Sequence, residues 1–297
     1  MSDAGRHVGT ARAMSEYRRP DSLPAALAAL AERRWTVVAG GTDLYPARVG
    51  RPPDQNLLDI TRISELAGIA PEPGAWRIGA RVRWSELVRA ELPPLFDGLK
   101  QAARAVGGLQ IQNAGTLAGN LCNASPAADG IPNLLAMEAL VELASARGTR
   151  RLPIAEFVTG NRRTALAPDE LLTAILVPRP ECPARSRFLK LGARRYLVIS
   201  IVMVALVVEL DAGGWIAAVR VAVGACSPAA ERLPLLERRL RGRSLEEDLS
   251  GAVDAEVLAP LTPIDDLRGT AAYRRAAVLT LLRRGLAELR PARPEAA

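Results

Sequence analysis

The chain has 297 residues, of which 49% are hydrophobic and 24% are charged, which excludes a disordered or fibrous protein and allows two domains. The formal net charge is +7, from 39 Lys and Arg against 32 Asp and Glu. Because the arginines are spread along the chain, often beside acidic residues, the charge indicates a basic surface and not an arm that binds nucleic acid.

The first part of the sequence predicts a mixture of helices and strands. Asp21 and Ser22 precede an Ala- and Leu-rich stretch that ends at Arg34, as expected of a helix with a capped start. Further helices are predicted at 84–90 and 95–106, and strands at 35–39, 57–60, 75–80 and 171–177. Small and turn-forming residues crowd the segment 111–132, which shows no periodicity but is too specific in sequence for a flexible linker.

The second part predicts a different arrangement. Three prolines in the polar stretch 178–187 favour a domain boundary near residue 183. Strands are predicted at 188–191, 198–210 and 215–224, the last two joined by the hairpin signal "DAGG". From residue 230 the pattern becomes helical, notably at 231–241 and 273–289. We therefore expect a small antiparallel sheet backed by helices.

The longest apolar run, 197–210, is shorter than the ~20 residues of a membrane helix, and it contains Ser200 and Glu209. The first fifteen residues lack the apolar core of a secretory signal. A cytoplasmic location is the resulting hypothesis, and fractionation of the protein into membranes or outside the cell would reject it.

Cysteine and histidine are too few for several common kinds of site. Cys122, Cys182 and Cys226 lie far apart, so this chain alone does not supply the thiolates of a zinc or iron-sulfur centre. The single histidine, His7, argues against a histidine-based triad or metal site. Cys122 is interpreted as a small buried thiol. We predict no metal ligand and no catalytic side chain.

Two glycine-containing segments are the candidates for a binding site. The first glycine segment, residues 39–43 ("AGGTD"), follows a predicted strand and exposes backbone N–H groups that suit phosphate oxygens. The second glycine segment, residues 115–120 ("GTLAGN"), offers similar groups, so that two such loops could hold a pyrophosphate from both sides. A tight turn is the alternative for either. Neither fits the GxGxxG or GxxxxGKS/T pattern, which argues against a Rossmann or P-loop site.

Polar residues follow the second glycine segment. Asn123, Ser125 and Asp129 could contact a ribityl chain, a ribose or a ring edge. Asp129 also stands just before a helical stretch, where it could equally cap the helix. The two roles do not exclude each other.

Taken in order, five segments resemble the FAD-binding (medium) subunit of the molybdenum hydroxylases, the family of xanthine dehydrogenase, carbon monoxide dehydrogenase and 4-hydroxybenzoyl-CoA reductase. They are "VVAGGTDL", "NAGTLAGNLCNASPAAD", "DELLTAILVP", "FLKLGARR" and "DDLRGTAAYRR". The resemblance implies an α+β fold. Residues 14–182 would form a two-part FAD-binding domain of the vanillyl-alcohol oxidase (PCMH) type. Residues 183–290 would form a C-terminal domain of antiparallel sheet plus helices, of the carbon monoxide dehydrogenase flavoprotein type.

The resemblance also implies which residues contact FAD. The matching positions are Val38, Ala39, Gly40, Gly41, Thr42, Asp43, Thr116, Leu117, Ala118, Gly119, Asn120, Asn123, Ser125, Asp129, Leu172 and Lys190. Without the resemblance, Lys190 would be interpreted as a solvated surface lysine. Ala118 stands where the family commonly has glycine. The late motif at 268–274 is interpreted as structural or interfacial.

In function, the resemblance implies an oxidoreductase subunit that carries electrons. A large molybdopterin-binding subunit would oxidise the substrate, a small subunit with [2Fe-2S] clusters would pass the electrons on, and FAD on this chain would deliver them to NAD or another acceptor. The additional iron-sulfur cluster of the 4-hydroxybenzoyl-CoA reductase subunit is not expected, because cysteines are too few.

Two alternatives remain open at this point. One is a stand-alone flavin-dependent reductase or oxidase of the same FAD fold, such as the UDP-N-acetylenolpyruvoylglucosamine reductases. It would need its own substrate pocket with a proton donor, and the sequence shows no such constellation. The other is a basic scaffold or nucleic-acid binder that has lost its cofactor, against which the intact glycine segments argue.

Overall fold

The helices and strands follow the predicted mixture closely. The structure, a computed structural model, describes residues 15–50 and 55–290, so His7 and the predicted domain start at residue 14 lie outside it. The strands in the described ranges are β1 (Tyr17–Arg18), β2 (Thr36–Val38), β3 (Leu57–Asp59), β4 (Ile69–Glu72), β5 (Ala75–Gly79), β6 (Leu140–Ser145), β7 (Gly148–Pro153), β8 (Val158–Gly160), β9 (Arg163–Thr164), β10 (Leu171–Pro178), β11 (Ala184–Leu191), β12 (Val202–Leu210), β13 (Ile216–Gly224) and β14 (Glu231–Arg232). The helices are α1 (Leu23–Glu32), α2 (Trp84–Arg89), α3 (Asp97–Ala105), α4 (Leu109–Ala114), α5 (Leu117–Asn123), α6 (Gly130–Ala136), α7 (Ile154–Phe157), α8 (Pro234–Leu240) and α9 (Ala271–Glu288).

Two main sheets organise the first part of the chain. β1, β3 and β2 form a small parallel sheet in that order, and α1 provides the crossover that parallel strands require. α1 buries Ala26, Ala29 and Leu30, whose spacing places them on one face of a helix. The second sheet is antiparallel, in the order β4-β5-β10-β6-β7. Its central strand β10 is buried over almost its whole length, which explains its continuous apolar sequence.

A four-stranded antiparallel sheet, β11 to β14, organises the second part. Along β12, Met203 and Ala205 belong to the core shared with the first part, whereas Val202 and Val204 belong to a second core that includes residues of α8 and α9. Successive side chains of a strand point to opposite faces. Because both faces of this sheet are covered, β12 is apolar without alternation.

Polar contacts fix β11 against α3 of the first part. Ser186 Oγ accepts a hydrogen bond from Gly98 N at 2.8 Å and donates one to Leu95 O at 2.6 Å. Phe188 N donates to Gln101 Oε1 at 2.9 Å. These bonds set the position of the residues that follow on β11, including Lys190.

The segment 111–132, in which the sequence shows no periodicity, contains the end of α4, all of α5 and the start of α6. α6 corresponds to the helical stretch expected after Asp129. Local signals explain α5, because Thr116 caps its start and Ala124 ends it in the left-handed conformation, at φ +44°. Two predicted boundaries were wrong. The strand predicted from residue 198 begins at Val202, and the helix predicted from residue 231 begins at Pro234, a residue that suits a first helical turn.

The remaining predicted elements of the first part are confirmed. The three predicted helices correspond to α1, α2 and α3, and the four predicted strands to β2, β3, β5 and β10. Within the ranges that the structure describes, no helix is both long and apolar enough to cross a membrane.

Candidate functional site

The two glycine segments lie in direct backbone contact. A Cβ added at Gly40 would lie 2.0 Å from Ala114 O and 2.8 Å from Gly115 Cα. A Cβ added at Gly115 would lie 3.2 Å from Thr42 Oγ1. Only glycine at position 40 permits this approach, because a carbon atom does not come so close to an oxygen or carbon atom to which it is not bonded. The fold thus brings together the two segments that the sequence singles out.

The first glycine segment forms a turn at the end of β2. Gly41 has φ +66°, in the left-handed region that favours glycine, and a Cβ there would lie 2.4 Å from the ring of Tyr45. Val38, at the end of β2, is buried. Ala39 and Thr42 are half-buried and Asp43 is exposed.

The second glycine segment begins a helix, so its description as a loop was wrong. Thr116 Oγ1 accepts a hydrogen bond from Gly119 N at 3.0 Å, which caps α5. Asn120 Oδ1 accepts from Gly130 N at 3.2 Å, which ties α5 to the start of α6. Leu117 and Ala118 are buried, whereas Gly119 is exposed. The polar side chains of this segment therefore hold the local fold.

A cavity of about 220 Å³ lies between the two segments. The residues that line it are Ala39, Gly40, Thr61, Arg81, Arg83, Asn113, Ala114 and Thr116, which carry hydroxyl, amide and guanidinium groups besides their backbone. Among these lining residues the structure shows no carboxylate. Backbone N–H groups, hydroxyls and arginines are the groups that proteins use to bind phosphates, so the cavity suits the pyrophosphate of a dinucleotide.

Five of the lining residues were not among the predicted site residues: Thr61, Arg81, Arg83, Asn113 and Ala114. The two arginines flank Val82, which is buried, just after β5. Arg81 lies in the turn closed by the hydrogen bond from Val82 N to Gly79 O, and Arg83 pairs with Thr116. Their place at the cavity therefore follows from the fold and not from a local sequence pattern.

Asn123 and Ser125 lie at the far end of α5, and both are half-buried. Asn123 Oδ1 accepts a hydrogen bond from Arg162 Nη1 at 2.5 Å, and Ser125 Oγ accepts from Ala127 N at 3.3 Å. Arg162 has φ +53°, and its N–H donates to the carbonyl of Ala124, which is itself left-handed. Two strained residues that are not glycine thus meet beside Asn123, a pattern that is common near functional sites.

Asp129 and Lys190 form a buried ion pair. Lys190 Nζ lies 2.7 Å from Asp129 Oδ2, and Ser200 Oγ donates to Asp129 Oδ1 at 2.7 Å. The side chains of Lys190 and Asp129 are only 13% and 5% exposed. Burial raises the pKa of the Asp129 carboxyl, while the Lys190 ammonium and the Ser200 hydroxyl oppose that shift.

This pair argues against two alternative interpretations of the sequence, while the predicted contacts of Asp129 and Lys190 with FAD stay predictions. Asp129 does not cap α6, because its backbone is already helical and its side chain makes no capping hydrogen bond. Lys190 is not a solvated lysine, since it is buried against Asp129 and the carbonyl of Ala105. The structure therefore brings these two predicted residues together and links β11 to α6.

Leu172 and Cys122 are not among the residues that line the cavity. Leu172 is 2% exposed on β10 and belongs to the main core. Cys122 is exposed, so its interpretation as a buried thiol was wrong. Protein atoms nonetheless surround it densely enough that desolvation raises the pKa of its thiol to about 12.

The late motif is structural at Arg274. This side chain is 4% exposed and donates to the carbonyls of Ile201 and Ala225 at 2.5 and 3.0 Å. Its guanidinium also pairs with Asp266 at 2.7 Å, and together with the other contacts of Asp266 this holds the pKa of that carboxyl at about 2. Arg274 therefore joins the start of α9 to the ends of two strands.

Comparison with known proteins identifies the family. A family model described as the FAD binding domain in molybdopterin dehydrogenase matches residues 12–180. The chain belongs to the FAD-binding subunits of the molybdenum hydroxylases. A second model, the carbon monoxide dehydrogenase flavoprotein C-terminal domain, matches residues 187–289 of this FAD-binding subunit. The resemblance stated from sequence is thereby confirmed, as is the α+β fold that it implies.

Several relatives cover nearly the whole subunit. It is 31% identical to the glyceraldehyde dehydrogenase medium chain of Sulfolobus acidocaldarius, over 92% of this chain and 97% of the relative. It is 29% identical to the xanthine dehydrogenase FAD-binding subunit of Escherichia coli, over 92% and 95%. In structure it is similar to the carbon monoxide dehydrogenase of Hydrogenophaga pseudoflava, with a TM-score of 0.82 and 28% identity over 93% of this chain and 97% of that chain. These similarities show an oxidoreductase subunit of the xanthine and carbon monoxide dehydrogenase type.

Proposed function

We propose that this subunit carries FAD and transfers electrons within a molybdenum hydroxylase. Electrons arrive from a [2Fe-2S] subunit and leave the flavin for NAD or another acceptor. The observation that carries the proposal is the cavity between the two glycine segments, which Gly40 brings into contact and which Arg81 and Arg83 line. This cavity lies in a chain whose family is defined by FAD binding.

The chain's own residues would bind and orient the cofactor. The backbone of residues 39–43 and the residues Thr116 to Asn120 would surround the pyrophosphate, with the Thr42 and Thr116 hydroxyls as additional polar groups. Asn123 and Ser125 would contact the cofactor beyond the second segment, and Leu172 would pack near it. When bound, FAD supplies the redox chemistry, whereas the protein supplies position and electrostatics.

The pair of Asp129 and Lys190 would position the C-terminal domain at this site. It joins α6, which follows the second glycine segment, to β11 of the C-terminal sheet. Removing one partner of a buried ion pair leaves an uncompensated charge. The pair therefore holds the two proposed domains, residues 14–182 and 183–290, in a fixed relation around the cofactor.

The proposed partners are a large molybdopterin-binding subunit and a small [2Fe-2S] subunit in the cytoplasm. Two relatives are named as parts of larger enzymes: a subunit of the 6-hydroxypseudooxynicotine dehydrogenase complex and the medium subunit of nicotine 6-hydroxylase, both from Paenarthrobacter nicotinovorans. The net charge of +7 would favour an acidic partner surface. An assembly that is insensitive to salt would contradict this electrostatic contribution.

The test is purification of the native assembly through an affinity tag on this chain. We expect FAD, iron, acid-labile sulfide and molybdenum to co-elute with two further polypeptides. Anaerobic addition of NADH should bleach the visible flavin band if NAD is the acceptor, and a quinol is the next donor to try. A chain that purifies alone with FAD and reduces a substrate by itself would instead support a stand-alone flavin enzyme.

A further inference from the structure

Arg81 and Arg83 differ from the neighbouring Arg77 in their ion pairing. Arg77, on the same stretch of chain, pairs with Glu72 and Glu142 at 3.4 and 2.8 Å. In the described part of the chain, neither Arg81 nor Arg83 takes part in an ion pair with a carboxylate. The charge of Arg77 is therefore compensated by ion pairs, whereas the lining of the cavity holds two arginines and no acid. The carboxylate of Glu86 lies beside Arg83 but accepts a hydrogen bond from its backbone N–H, at 2.7 Å, and Glu86 does not line the cavity.

The backbone holds both arginines beside the second glycine segment. Residue 83 pairs with Thr116 in an antiparallel bridge. Trp84 N donates to Gly115 O, and Leu117 N donates to the carbonyl of Val82, each at 3.1 Å. These bonds flank Arg83 on both sides. Its position relative to the second segment is thus fixed by backbone hydrogen bonds and not by its own flexible side chain.

Arg81 is held from the other side of the cavity. Its Nη1 donates to Ile63 O at 2.7 Å, close to Thr61, which also lines the cavity. One guanidinium nitrogen is used in this way, and a guanidinium has five N–H donors in all. The remaining donors are available to an anion, in the planar arrangement that suits phosphate oxygens.

We propose that Arg81 and Arg83 neutralise the diphosphate of FAD in this cavity. The proposal rests on the proposed function and adds to it two residues outside both glycine segments. The diphosphate carries two negative charges, which two guanidinium groups would balance. Backbone N–H groups alone supply partial charges, so the arginines provide the salt-dependent part of the binding free energy.

The test is a titration of the flavin-free chain with FAD, followed by flavin fluorescence, at low and high NaCl concentrations. Loss of one charge-assisted hydrogen bond to a phosphate weakens binding about tenfold or more. We therefore expect Arg83→Gln and Arg81→Gln each to raise the Kd for FAD about tenfold. Arg83→Lys should recover part of the affinity. Inorganic pyrophosphate added to the flavin-free chain should bind the unmodified protein more tightly than the double variant, as measured by isothermal titration calorimetry.

The matched control is Arg89→Gln, which removes an exposed arginine from the last turn of α2, away from the residues that line the cavity. If Arg81→Gln and Arg83→Gln raise the Kd no more than this control, or if the salt dependence of the double variant equals that of the unmodified chain, the arginine proposal is wrong while FAD binding stands. If the unmodified chain binds no FAD, both the proposed function and the arginine proposal are wrong. Thermal unfolding of each variant identifies any that has lost its fold.

Discussion

The two glycine segments have similar compositions but need their glycines for different reasons. In the first, Gly40 permits a backbone contact with Ala114, and Gly41 adopts a left-handed conformation, so both are demanded by the fold. In the second, Gly119 lies in the first turn of α5, is exposed, and would meet only the Thr116 hydroxyl. A glycine motif can therefore combine the requirements of the fold with those of a ligand, and substitutions can separate them.

The largest effect is expected at Gly40. In Gly40→Ala the new methyl would lie 2.0 Å from Ala114 O, and a backbone carbonyl cannot swing away as a side chain can. We expect the free energy of unfolding to fall by about 3 kcal/mol, the upper range for overpacking, with loss of FAD binding. Urea denaturation measures the change in the free energy of unfolding. A loss comparable to that of an ordinary surface substitution would show that the two segments are not in contact.

A smaller loss of stability is expected at Gly41. Gly41→Val places a β-branched residue at φ +66°, which costs about 2 kcal/mol. The nearest side chain, Tyr45, is 55% exposed and can move aside, so the fold should survive while FAD retention is lost. The control is Gly41→Asn, since asparagine tolerates this conformation. If the valine variant keeps its full complement of FAD after desalting, the turn does not lie at the pyrophosphate.

At Gly119 stability and binding should separate. Alanine favours a helix over glycine by about 1 kcal/mol, and this gain offsets the adjustment of the Thr116 hydroxyl 2.9 Å away. The unfolding free energy of Gly119→Ala should therefore stay within about 1 kcal/mol of the parent chain. The Kd for FAD should rise about tenfold, because the methyl enters the proposed contact surface. Unchanged affinity in the fluorescence titration would remove Gly119 from the site.

The smallest effect is expected at Ala118, where the family resemblance leads us to expect glycine. Its side chain is 5% exposed and packs into the main core. Ala118→Gly should cost about 0.5–1 kcal/mol of stability, because glycine is unfavourable within a helix. FAD affinity should stay within about twofold of the parent. A marked gain in affinity would mean that the alanine methyl obstructs the cofactor.

Several elements were predictable because their sequence signals are local. The apolar runs of β10 and β12 indicated strands, and the alanine-rich sequence of α1 indicated a helix with one buried face. β7 was missed because five of its six residues are exposed and polar or turn-forming, which leaves no apolar alternation. α5 was missed because its small residues show no periodicity, although Thr116 is an ordinary helix cap.

In the candidate site, the sequence predicted only the residues that belong to a recognisable motif. Glycine content identified the two segments, and their contact through Gly40 follows from the fold. Arg83 reaches the second segment through a bridge to Thr116, a residue 33 positions further along the chain. The pairing of Lys190 with Asp129 spans 61 positions. Such pairings depend on how sheets and helices pack, which one sequence does not show.

The most direct measurement is the absorption spectrum of the purified chain after incubation with FAD and desalting, with the released flavin identified after heating. The account predicts a yellow protein that retains stoichiometric FAD. It also predicts that Gly41→Val treated in the same way is colourless but folded. A colourless parent chain that takes up no FAD would mean that the two glycine segments serve only the fold, and it would contradict the central claim.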